Sequence, residues 1–65
     1  MTAAVAVRHL RPPDLAGRWG VSVKRLADDR SRGVGPAYLK VGGSILYRLE
    51  DVETYERDCL VRPVG

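Results

Sequence analysis

Ser22, Lys24 and Arg25 stand close together just after Gly20. At the start of a helix that trio can handle a polyanion. Arginine offers a planar fork of donors that matches two acceptors on a guanine edge, and lysine carries a compact charge suited to a phosphate oxygen. Ser22 is a good helix cap, and its hydroxyl or backbone N–H can also hold a phosphate at a helix N-terminus. The alternative for Lys24 and Arg25 is a plain solvated helix face. Asp28 lies four residues after Lys24 and four before Arg32, so an intrahelical ion pair is expected, with a bond from a cytosine amino group as the second role. Asp29 can pair in the same way with Arg25, either holding that arginine in position or competing with a polyanion for it.

Arg30, Arg32, Lys40 and Arg48 are candidates for phosphate contacts, which position a protein on a duplex without reading its sequence. Gly42 and Gly43, followed by Ser44, mark a tight turn whose lack of side chains also permits a close approach to a nucleic acid. Catalysis finds no comparable set. His9 is the single histidine and Cys59 the single cysteine, so neither a nucleophile with its base, nor a set of zinc ligands, nor an internal disulfide is expected. No phosphate-binding glycine motif is present, and no cofactor is implied. The reading is of a non-enzyme.

Sixty-five residues allow one small domain, in which a few side chains must supply most of the apolar burial. A hydrophobic fraction of 45% with 29% charged residues is enough to fold. No stretch approaches the roughly 20 apolar residues that cross a bilayer, and the start lacks the cationic leader of a secretory signal, so a cytoplasmic protein is expected. The net charge of +3 is uneven along the chain. Met1 to Val21 carries three basic residues and one acid, Ser22 to Arg48 six and two, and Leu49 to Gly65 two and five. The positive part lies in the middle and the negative part at the end.

These residues need elements to position them. Residues 1–8 read as a loose N-terminal arm, 9–59 as the folded domain and 60–65 as a tail. The first helix should begin at Pro12-Pro13, with Asp14 in its first turn, and end at Gly20. Leu15, Ala16 and Trp19 form its buried stripe. The second should start at Val23 behind the Ser22 cap, bury Val23, Leu26 and Ala27, and stop at Gly33 and Gly35-Pro36. Residues 37–41 and 44–48 form a hairpin. A two-residue Gly-Gly loop places Tyr38 opposite Tyr47. A three-residue loop including Ser44 puts Leu39, Val41, Ile45 and Tyr47 on one face, and is preferred because that face can lie on the helices, leaving Leu46 outward for a neighbouring protomer or for no partner. Leu49 to Cys59 forms a third helix, with acids early and Leu49, Val52, Tyr55 and Cys59 lining its core side. Trp19 and Tyr47 are expected to anchor the core. Glu53 and Glu56 are expected to be solvated, with a basic partner as the alternative.

The run Gly20-Val21-Ser22-Val23-Lys24, the Gly35-Pro36 break, Tyr38-Leu39-Lys40-Val41-Gly42-Gly43, and Tyr47-Arg48-Leu49-Glu50-Asp51-Val52 together resemble the excisionase and MerR-like winged helix-turn-helix family over roughly Leu10 to Cys59. The resemblance implies a small α+β domain with two N-terminal helices, a β-hairpin wing and a third helix. Its second helix would enter the major groove of double-stranded DNA while the wing reaches adjacent backbone or minor groove. It also implies a phage recombination directionality factor that self-associates cooperatively on DNA, bends it and favours integrase-mediated excision. A small transcriptional regulator is the alternative, and a protein-interaction module using the exposed Leu46 and the acidic third helix is a rival of another class. Two departures lie on the expected DNA face. Asp29 stands where many relatives carry an aromatic residue, and Ser44 and Leu46 stand where relatives often place arginine.

Overall fold

A computed structural model of the chain describes residues 8–64. The element order is β1 (His9–Leu10), α1 (Pro12–Trp19), α2 (Val23–Arg32), β2 (Leu39–Val41), β3 (Ser44–Arg48) and α3 (Leu49–Cys59). Three helices therefore accompany one three-stranded antiparallel sheet of order β1-β3-β2, an α+β arrangement broadly compatible with a wing-type fold. Most of the arm expected over residues 1–8 lies outside the described residues. Arg8 is described, and its carbonyl accepts the Leu49 N–H at 2.9 Å.

The helix boundaries follow from local chemistry. Pro12 opens α1, and the Asp14 carboxylate takes the Arg11 backbone N–H at 3.1 Å, satisfying a donor the helix cannot. Gly20 closes α1 in the left-handed region, and Val21 N–H returns to the Ala16 carbonyl at 3.0 Å. Ser22 then caps α2, its Oγ accepting from Arg25 N–H at 3.0 Å. At the far end the Gly33 and Val34 amides bond back to the carbonyls of Arg30 and Asp29, the paired closure of a Schellman motif. Only Gly20, Val21 and Ser22 separate the two helices.

The hairpin corrects the preferred register. Val41 pairs with Ser44, Lys40 with Ile45 and Leu39 with Leu46, so the loop is the two-residue Gly42-Gly43 turn. Both glycines have positive φ, at 54° and 87°, as a type I′ turn demands, and the twist of that turn matches the strands. Because side chains alternate, Ile45 and Tyr47 face the helices while Leu39, Val41 and Leu46 share the opposite face. The apolar-face criterion failed because turn geometry fixes register more strongly than the placement of two partly exposed side chains.

A second correction is the strand β1, absent from the sequence reading. It pairs His9 with Arg48 and Leu10 with Tyr47, placing β3 in the middle of the sheet. Two residues are too few to give a period.

Leu15, Ala16, Leu26, Tyr47 and Val52 form the buried core, with Leu10, Trp19, Val21 and Ile45 packed against it. Tyr47 is an anchor as expected, whereas Trp19 is half-buried. Val23, expected on the buried face of α2, is exposed, and Val21 in the turn takes up the packing instead. Cys59 is also exposed rather than buried on the core stripe. Leu60–Val64 continues outward without regular structure, and Gly65 lies outside the described residues.

Candidate nucleic-acid interface

The exposed side of α2 gathers most of the charged residues singled out in the sequence. At 100° per residue, Lys24, Asp28 and Arg32 fall in one row, turned away from Leu26, and Arg25 and Asp29 in the next, with Asp29 closest to the core side. Lys24 and Arg25 occupy the first turn, with side chains 84% and 63% exposed. Ser22, at the head of the same turn, spends its hydroxyl as a cap.

Each of these cations has an acidic neighbour. Lys24 Nζ lies 3.1 Å from the Asp28 carboxylate, as the i,i+4 spacing implies. Arg32 does not share Asp28. It donates to Asp29 Oδ1 at 2.7 Å, while Arg25 Nε approaches the same oxygen at 3.5 Å. The Asp29 side chain is only 21% exposed, which brings it within reach of arginines one turn before and one turn after it. Exposed pairs of this kind are worth little in water and exchange readily for a phosphate. Arg25 is the more loosely held of the two arginines, and its guanidinium is the more available for a fork-like contact.

Two candidate phosphate contacts are committed inside the protein. Arg48 donates to Asp51 at 2.6 and 3.2 Å and lies 3.4 Å from Glu50, so it neutralises the start of α3. Those bonds, that to Asp51 first, raise the guanidinium above the ordinary arginine value. Arg30 projects between Leu26 and Val23 on the inward side of α2. Its Nη1 donates to the Tyr47 hydroxyl at 2.6 Å, and its guanidinium carbon lies 5.8 Å and 5.9 Å from the ring centres of Tyr38 and Tyr47. Those two rings lie 6.2 Å apart across the hairpin, which the observed register makes possible. The signal was legible in principle: an arginine four residues after Leu26 is on an apolar stripe, where its stem packs and its head seeks a partner.

Lys40, Gly42, Gly43 and Ser44 are exposed on the hairpin. Lys40 has no ion pair among the described residues. The acidic end of the chain is less free than expected. Glu56 accepts from Arg18 Nε and Nη2 at 2.6 and 2.8 Å and from Trp19 Nε1 at 2.6 Å. These bonds hold its carboxyl well below the usual range, at about 2. Glu56 thus joins α3 to α1 and is no solvated bystander, whereas Glu53 is exposed. The signal missed was an indole N–H and an arginine side by side at Arg18-Trp19, two donors needing one acceptor.

Among the described residues no group of three or more His, Cys, Asp or Glu side chains is arranged to hold a metal ion. No helix among them is long and apolar enough to cross a membrane. No family model, curated protein or solved structure matches the chain.

Proposed function

We propose that this chain is a sequence-specific DNA-binding protein of the winged helix-turn-helix type, acting as an architectural factor in phage excision. The observation that carries the reading is the first turn of α2. Lys24 and Arg25 stand exposed there on a helix whose start is fixed by the Ser22 cap and which follows α1 after three residues. In this reading α2 enters the major groove, where Arg25 can address a guanine edge. Lys24, Arg32 and Lys40 neutralise phosphates, and the Gly42-Gly43 tip approaches the backbone.

The excision role rests on the resemblance in the order and spacing of motifs. A domain of this size covers little DNA, so occupancy of several adjacent sites by self-association supplies the affinity and the curvature. An integrase is the protein partner that such a role requires. The reading is of a binding protein and not an enzyme: His9 and Cys59, the residues best suited to general-base or nucleophilic work, are exposed at opposite ends of the described chain.

Footprinting of purified protein on the DNA flanking its own gene, followed by a reconstituted integrase reaction, tests both levels. Protection of repeated short sites with stimulated excision is the expected result. Protection of a promoter with excision unchanged assigns a transcriptional regulator. No protection of any fragment removes the DNA-binding reading.

A further inference from the structure

Arg30 occupies a place that neither an exposed phosphate contact nor an ordinary core residue would take. It is half-buried, points inward from α2, and reaches residues on both strands of the hairpin. By backbone approach the near pairs of elements are the sheet's own strands, α1 with α2, β1 and β3, and α3 with β3, whereas α2 meets the hairpin through side chains. Leu26 joins the common core, but toward the C-terminal end of α2 the link to the hairpin is the Arg30 side chain. The connection leaves α2 through the bonded turn at Gly33 and Val34 and passes Gly35, at a positive φ, and the buried Pro36 before it reaches Tyr38.

We propose that Arg30 is the positioning residue of the interface. Its guanidinium, held by the Tyr47 hydroxyl and the Tyr38 ring, fixes the hairpin relative to α2 so that both meet one duplex together. This inference rests on the DNA-binding reading. The chemistry suits the task. A guanidinium is planar and can stack on a ring and bond in its own plane at once. An ammonium in the same place keeps the charge and loses the plane. The clamp is set by register: only the two-residue turn puts Tyr38 opposite Tyr47.

The test uses the full chain with Arg30→Lys, Arg30→Met and Tyr47→Phe, the last keeping the core ring and removing only the hydroxyl. Without DNA, amide hydrogen exchange over residues 38–48 should quicken about tenfold in both Arg30 variants, while Val52 in α3 keeps its protection. On a duplex carrying the site footprinted by the unaltered protein, both Arg30 variants should bind about tenfold more weakly. They should keep the α2 protection in the major groove and lose the flanking protection due to the hairpin. Tyr47→Phe should show the same pattern at about threefold. A merely structural role would erase both protections in parallel with melting temperature. Binding restored by Arg30→Lys and abolished by Arg30→Met would make Arg30 a phosphate contact and overturn the proposal, as would unchanged exchange in the hairpin. If the unaltered protein binds no duplex, the DNA reading falls and takes this inference with it; if it binds and the variants match it, the inference alone falls.

Discussion

Arg18 and Arg30 each reach from a helix to another element, yet they end in different electrical states. Arg18 meets Glu56 through two hydrogen bonds, and Trp19 donates to the same carboxylate, so the cation on that side is cancelled. Arg30 meets the Tyr47 hydroxyl and the Tyr38 ring, and no carboxylate lies within ion-pair reach of it among the described residues. Both arginines tie one element to another. Only the second does so while leaving its full positive charge in place. The α1–α3 contact thus pairs its charges, and the α2–hairpin contact holds a cation with no carboxylate partner among the described residues. The same division runs through the sequence, where the middle segment is basic and the last segment acidic.

The contrast can be broken most forcefully at the first turn of α2. Changing Lys24 and Arg25 together to alanine should lower specific DNA affinity about 100-fold with the melting temperature unchanged, since both side chains are exposed. A parallel fall in melting would show that these residues serve the fold instead. The opposite pattern is expected at Glu56. Glu56→Gln should melt roughly 5 °C lower at neutral pH and bind DNA within about twofold of the unaltered protein. DNA binding lost at constant melting would erase the distinction between the two sides.

Acid sharpens the same point. The Glu56 carboxyl is held down to about 2 in the folded chain, from an ordinary value of 4.5, chiefly by its bond from Arg18 and then by that from Trp19. A depressed carboxyl stabilises fully above its unfolded value and loses that contribution as pH falls toward the folded one. The melting temperature of the unaltered protein should therefore drop more steeply between pH 4.5 and pH 2 than that of Glu56→Gln; parallel curves would show that the network adds nothing. The smallest effect is expected at Asp29→Asn. Releasing Arg25 and Arg32 from their shared carboxylate should tighten DNA binding about threefold and steepen its salt dependence, by at most about one unit of log–log slope. Weaker binding would mean that Asp29 holds Arg25 in its working position.

The helix limits could be read because single residues dictate them. Pro12, Gly20, Ser22 and Gly33 each satisfy or terminate a helix by chemistry confined to one turn. What escaped the sequence reading depends on distant parts of the chain. The two strand residues His9 and Leu10 gain meaning only beside Arg48 and Tyr47, and Arg30 only beside a tyrosine pair aligned by the turn. Glu56 looked like a surface acid because its partners lie 37 and 38 positions earlier. Along α2 the exposed candidates Lys24, Arg25, Asp28 and Arg32 were legible from helical spacing, while Arg30 and Arg48, chosen for charge alone, turned out to hold internal partners.

The short pairing of His9 and Leu10 with Arg48 and Tyr47 also sets an order of events during synthesis. A ribosome delivers the outer strand first and its central neighbour roughly 40 residues later, a delay of several seconds at ordinary elongation rates. Throughout that interval Leu10 has no strand to lie against, and the sheet can close only as its middle strand emerges. The contacts between α1 and α2 join neighbouring segments and are available before the sheet is complete.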